Sequence, residues 1–338
     1  SVFGNNIKLS IFGQSHSDAI GMSFDGLPCG FKIDMDELKL FLSRRAPGRS
    51  ELTSKRSEKD VPEFVSGIFD GKTCGAPLAA MIYNEDVRSA GYEDIKDSPR
   101  PSHADFTAEG KFRGYQDYRG GGHFSGRLTA ALCVAGGIAI QMLERNGIKV
   151  KAVLESVCGQ ESGIDELIAE AISEGDSLGG TIACTIGGLP CGVGEPMFDG
   201  LENRISQAVF AIPAVKGIEF GDGFKLSELK GSEARDEYFI SGGKIALTSN
   251  HNGGILGGIS TGEAVNFRVC IKPTPSISMP SKSVSFSKGE NVELKVSGRH
   301  DPCIALRAVP CVEAAAALAI LDLMLGDINF SGRFVFND

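Results

Sequence analysis

The pentapeptide Gly26-Leu27-Pro28-Cys29-Gly30 recurs letter for letter as Gly188-Leu189-Pro190-Cys191-Gly192. Each copy is followed by an aspartate able to cap a helix, Asp34 and Asp199, and then by a loop containing proline, Pro47 and Pro213. A second echo pairs residues 122–144 with 299–325, each a polar glycine or aspartate loop feeding an apolar, alanine-rich helix. Chance supplies a five-residue match; the matching order of elements is what favours a duplicated half-domain. The halves, about 1–150 and 151–338, are expected to meet near residues 148–155 and to share their helices in one core. The chain thus reads as one large domain.

Working outward, Asp34 caps a helix to about Arg45, stopped by Ala46-Pro47-Gly48. Ser125 or a neighbour opens a long apolar helix ending near Asn146-Gly147. Three more are expected over 164–173, from Asp199 to Phe210, and over 311–325 with Gly326 as the stop. Between them, β-prone pieces lie at 64–69, 79–83, 181–186, 245–248 and 265–271. No sustained strand–helix alternation appears, so the fold class is α+β, with sheets packed on helices.

Glycine is 44 of 338 residues, about twice the usual share, which signals tight turns and close backbone approach to a ligand. A net charge of −9 argues against a nucleic-acid or anionic-membrane partner. Yet arginines crowd two segments, Arg44, Arg45, Arg49 and Arg56, then Arg100, Arg113, Arg119 and Arg127. Arginine in glycine-rich loops suits a small polyanion, because guanidinium pairs bidentately with phosphate and carboxylate; solvated surface charge is the plainer alternative. The nine cysteines show no C-x-x-C pair and no zinc-like spacing, so no metal site is expected and a reducing, cytoplasmic setting fits. The apolar stretch 130–140 is too short to span a bilayer, and the opening residues show no charged segment leading into an apolar one, so a soluble protein is expected.

Walker, dinucleotide, metalloprotease and nucleophile-elbow motifs are all missing. His16 sits in a polar loop after a short apolar strand, and His103 between Arg100 and Asp105. Each alone suits a structural role; near phosphate, a histidine is also a general acid at neutral pH. His123 follows three glycines at a helix start, a natural anion site. Asp301 is either a helix cap or an acid–base group. Lys272-Pro273-Thr274-Pro275-Ser276 is a linker or a phosphate grip.

Read in order, these segments resemble the chorismate synthase family over nearly the whole chain. Gly13-Gln14-Ser15-His16 with Asp25-Gly26 is similar to its first signature, Arg44-Arg45 with Pro47-Gly48 to its basic loop, and Arg100-Pro101-Ser102-His103-Ala104-Asp105 to its histidine segment. Arg119-Gly120-Gly121-Gly122 with Ser125, Arg127 and Thr129 resembles the second signature. Ser249-Asn250-His251, the glycine run 253–258 and Lys272-Pro273-Thr274 continue it. Arg299-His300-Asp301-Pro302-Cys303 with Arg307-Ala308-Val309-Pro310 and Glu313-Ala314 resembles the third.

The resemblance implies a β-α-β layered sandwich with internal pseudo-twofold symmetry, a homotetramer, and 1,4-anti elimination of phosphate from 5-enolpyruvylshikimate 3-phosphate to give chorismate, on reduced FMN. It puts the flavin phosphate around Lys272, Pro273, Thr274, Pro275 and Ser276, and the ring near His123, Phe124, Ser125, Pro213, Ala214, Gly257 and Arg299. Substrate anions would meet Arg45, Arg100, Arg127 and Arg299. His16 would protonate the departing phosphate, His103 would keep the flavin suitably protonated, and Asp301 would take the final proton. Gln14, Ser17, His123, Phe124, Gly126 and Leu128 depart from the family pattern. Glu51 stands where some members carry an arginine associated with NADPH; any NADPH contact, through Arg45, presupposes an intrinsic flavin reductase. A non-catalytic sensor of a phosphorylated metabolite and a flavin oxidoreductase are the rival readings.

Overall fold

In the computed structural model, residues 1–48, 52–53, 58–85, 93–296, 300–332 and 335 are described. Two antiparallel sheets enclose a layer of helices. The first sheet orders its strands Val2–Phe3, Lys8–Gly13, Ala19–Asp25, Leu78–Tyr83, Glu63–Ser66. The second orders Lys149–Val157, Gly180–Gly187, Val265–Ile271, Val215–Phe220. Without the short Val2–Phe3 edge, the two sheets have the same sequential order, with the fourth strand of each reached by backtracking past the third. Alternation sets the inner faces: Ile20, Met22 and Phe24 in one, and Val265, Phe267, Val269 and Ile271 in the other, are buried.

The repeated pentapeptide has the same job in both halves. It follows the strands Ala19–Asp25 and Gly180–Gly187 and leads to the helices Met35–Arg45 and Leu201–Val209. Gly26 and Gly188 have φ of +81° and +79°, and a Cβ on either would lie 2.4 Å from the Asn6 carbonyl oxygen or 2.2 Å from that of Gly147. No other residue meets both demands.

The helices Thr129–Arg145 and Ala305–Gly326 form the centre; the first touches both sheets, and the second packs on it and on the strands Lys149–Val157 and Gly180–Gly187. Each is apolar nearly all round, as a fully enclosed helix must be. By length and composition, Gly126–Arg145 and Ala305–Gly326 could cross a membrane, but most of each is buried inside the protein. Gly136 permits their contact: a Cβ there would lie 2.2 Å from the Cβ of Ala314.

Asp34 caps Met35–Arg45 through hydrogen bonds from the Asp36 and Glu37 amides, and Gly175 closes Ile164–Glu174 in the left-handed conformation. The last long helix begins earlier than expected, at Ala305, and carries Pro310 inside it. The Ile304 carbonyl accepts from the Arg307 and Ala308 amides, so the first turn closes before the proline is reached. Burial on all sides then outweighs the one hydrogen bond that Pro310 cannot donate. Near the other end of this helix, buried Asp322 accepts the backbone N–H groups of Asn5, Asn6 and Ile7 at 3.0, 2.7 and 2.9 Å and pairs with Arg204.

Candidate active site

A cavity of about 940 Å³ opens where the two central helices begin. Leu128 and Thr129 line it from one helix, and Ile304, Arg307 and Ala308 from the other. Cys133 faces Cys311 one turn before Gly136 faces Ala314, so the helices run in the same sense. Both N-terminal ends, with their partial positive charge, therefore point at the cavity.

His16 is buried, with Nδ1 2.7 Å from the Ser15 hydroxyl, which itself donates to the Arg119 carbonyl at 3.4 Å. It packs on Gly120, where a Cβ would fall 2.2 Å from the ring. His103 Nδ1 donates to Asp105 at 2.6 Å, which leaves Nε2 on the side of Gly121. Burial raises the Asp105 carboxyl, but hydrogen bonds from Arg100 and His103 outweigh it and hold the group far below the ordinary range. Arg100 also reaches the Ser276 hydroxyl at 3.3 Å, which ties the histidine loop to the 272–276 segment.

Arg45 and Arg127 share one carboxylate, the buried Asp60. Arg45 adds Thr129 Oγ1 at 3.1 Å and the Gly126 carbonyl at 3.2 Å; Arg127 adds Asn84 at 2.9 Å and stands 3.5 Å from Glu58. Burial disfavours the Arg45 charge, but Asp60 more than restores it; burial also raises the Asp60 carboxyl, which the two guanidiniums bring back below its usual value. Arg307 pairs with Asp301 and donates to the Arg45 carbonyl at 3.0 Å. Burial, then the Arg45 charge, pull its pKa down.

The opposite wall comes from the second half. Ala214 lines the cavity with φ of +73°, a strained value for a residue with a Cβ, and its carbonyl accepts the Lys272 amide at 2.9 Å. Lys272 Nζ donates to the Ser102 carbonyl at 2.6 Å. Two buried polar atoms there, Thr274 Oγ1 and His300 Nε2, have no hydrogen-bond partner among the described residues. Burial, then the Arg100 charge, lower the His300 pKa, so the ring favours its neutral form.

Most of the expected residues meet in this cavity: His16, His103, Asp301, Arg45, Arg100, Arg127, His123, Phe124, Ser125, Pro213, Ala214, Lys272, Thr274, Pro275 and Ser276. Pro273 is not among the lining residues; its ring packs close to Gly179. Gly257 is not either: it turns the hairpin between Ile255–Leu256 and Ile259–Ser260. Arg299, like Arg49, Glu51 and Arg56, lies outside the described residues. His123 directs Nδ1 to the Gly13 carbonyl at 2.8 Å, so its side chain braces the strand end. Sequence reasoning missed Asp60, Glu58 and His300 Nε2 as parts of the site; Asp60 sits in a charged run with no motif around it. The cysteine spacing also gave no hint of Cys133 beside Cys311.

The chorismate synthase family model matches residues 7–325. A chorismate synthase of Korarchaeum cryptofilum is 42% identical over 95% of this chain and 96% of its own length. One of Chitinophaga pinensis is 45% identical over 96% of both. A crystal structure of chorismate synthase superposes with a TM-score of 0.73 at 23% identity, covering 96% of this chain and 93% of the other, and supports the fold. With the family signature and these relatives spanning almost its full length, the chain belongs to the chorismate synthase family.

Proposed function

We propose that this chain is a carbon–oxygen lyase that eliminates phosphate from 5-enolpyruvylshikimate 3-phosphate to give chorismate, with reduced FMN. What carries the reading is the convergence of His16, His103 and Asp301 with Arg45, Arg100 and Arg127 on one cavity, in a member of this family. Lys272, Thr274 and Ser276 suit a flavin phosphate: a cation, a buried hydroxyl without a partner and a buried hydroxyl beside Arg100. When bound, the reduced flavin supplies electron density to the allylic system that loses phosphate. His16, oriented through Nδ1 by Ser15, delivers a proton to the departing phosphate. His103, oriented by Asp105, presents Nε2 as a proton-holding group. Asp301, paired with Arg307, accepts a proton. The arginines and the helix ends hold the substrate's anions.

NADPH enters this reading only with an intrinsic flavin reductase, and Arg45, bonded to Asp60, Thr129 and Gly126, offers it little. The chain is read as a cytoplasmic homotetramer acting on a small molecule; the apolar hairpin with exposed Tyr238, Ile240 and Ile245 suits a subunit contact.

The test is an anaerobic assay with dithionite-reduced FMN. Chorismate should accumulate in excess of flavin without consumption of reductant. His16→Ala and His103→Ala should lower single-turnover rates by about 10²- to 10⁴-fold while ligands still bind. Stoichiometric use of reductant would instead indicate an oxidoreductase, and unchanged rates in both variants would sink the catalytic assignment.

A further inference from the structure

Cys133 and Cys311 are 178 residues apart in the chain, yet their sulfurs lie 3.8 Å apart on the two central helices. Both are buried, and neither takes part in the acid–base or ion-pair arrangement described above. Cys311 lines the cavity, while Cys133 is not among the lining residues. A small reagent entering the cavity therefore reaches one sulfur first, with the second against it. The two positions correspond: each lies three residues before the small residue, Gly136 or Ala314, at which the helices touch. Backbones that close bring cysteines within reach of a covalent link.

The surroundings differ between the two. The Cys133 thiol donates to the Cys311 sulfur, and this, followed by the Arg45 and Arg307 charges, lowers the Cys311 pKa against the effect of burial. Burial pushes the Cys133 thiol up. A thiol inclined to ionise on the open side, with a protonated one behind it, matches an attacking and a resolving cysteine.

We propose that Cys133 and Cys311 form a redox modification site on the cavity wall, closing to a reversible disulfide when hydrogen peroxide enters. The Cys311 sulfur attacks one peroxide oxygen; the O–O bond breaks, the sulfur is oxidised to a sulfenic acid, and the other oxygen leaves as water with the thiol proton. The Cys133 sulfur then attacks the sulfenic sulfur; the S–O bond breaks and the hydroxyl leaves as a second water with the Cys133 proton. Two thiols and one peroxide give one disulfide and two waters. Exchange with a dithiol such as dithiothreitol returns both hydrogens and both electrons.

Closure brings the sulfurs from 3.8 Å to about 2.05 Å. That movement acts on the first turns of both helices, where Thr129 holds Arg45 and the Arg307 carbonyl accepts from Cys311. The disulfide is thus an off-switch for the site; this consequence for turnover rests on the proposed function, whereas formation of the bond does not.

The experiment treats the purified full chain, without flavin or substrate, with hydrogen peroxide, blocks remaining thiols with iodoacetamide and maps the peptides by mass spectrometry. A linked Cys133–Cys311 peptide is expected, released by dithiothreitol and missing from Cys133→Ala. Anaerobic turnover of treated wild-type protein should fall in proportion to the linked fraction and return with dithiothreitol. Absence of the link after the exposed Cys29 and Cys191 have been fully oxidised overturns the site. So does Cys311 recovered as a sulfinic acid without a link. Fully linked protein that turns over at the untreated rate overturns the switch.

Discussion

The two halves of the molecule share a strand order but differ in the polar groups they bring to the cavity. The first half contributes Arg45, Arg100 and Arg127, and each already has a carboxylate, Asp60 for two of them and Asp105 for the third. The second half contributes one such pair, Arg307 with Asp301, and also the 272–276 segment and His300, where Thr274 Oγ1 and His300 Nε2 are buried without partners among the described residues. A compensated charge is a rigid frame; an unsatisfied hydroxyl or ring nitrogen is capacity held for a ligand. The difference separates groups that also hold the cavity's shape from groups that only wait for its contents.

The largest expected effect tests the frame. Asp60→Ala leaves Arg45 and Arg127 buried around a missing charge and should destabilise the ligand-free protein by about 3–5 kcal/mol in denaturant unfolding. A loss below about 1 kcal/mol would mean that solvent or Glu58 replaces the carboxylate readily, and the frame would not be rigid.

Asp105→Asn tests the same half through pH. The folded-state pKa of Asp105 is depressed, so its stabilisation is present above the unfolded value of about 3.9 and is lost as pH falls below it. The variant should be about 1–2 kcal/mol less stable near neutrality, and the gap should close as acid is added. A gap that stays constant from neutral pH to acid would show that the carboxylate's charge is not what matters.

The smallest effect, and the one of opposite sign, belongs to the second half. Thr274→Val keeps the shape and removes the unpartnered hydroxyl, so ligand-free stability should hold or rise by up to about 1 kcal/mol. FMN affinity should fall, by about 0.5–1.5 kcal/mol as read by flavin titration, the worth of one hydrogen bond. A destabilised variant with unaltered FMN affinity would erase the contrast between the halves.

Much of the frame was legible because its signals are local. Asp34 as a cap, Gly175 as a stop and the repeated pentapeptide each state a backbone requirement within a few residues. The start of the last long helix was not, since Pro310 reads as a boundary and only burial among the neighbouring helices and the second sheet makes it tolerable. The strand Lys149–Val157 was hard to see because exposed Lys149 and Lys151 alternate with buried Val150 and Ala152, which leaves no continuous apolar run. In the site, the histidines and arginines announce themselves by type and neighbours. Asp60 does not: it takes its meaning from arginines 15 and 67 residues away. The cysteine pair is more remote still, set by a helix contact that no spacing records.

Asp322 adds a constraint of time. It holds the amides of residues 5–7 from 315 to 317 positions further along the chain, and it also pairs with Arg204. A ribosome delivers those residues in the reverse of the order in which the fold needs them, at about 5–20 residues per second. The opening of the first sheet therefore waits, without its carboxylate, while 315 further residues are added. A nascent chain short of Asp322 exposes both that edge and the apolar cradle for the last long helix, and such exposed surface is what chaperones cover until the helix has been made.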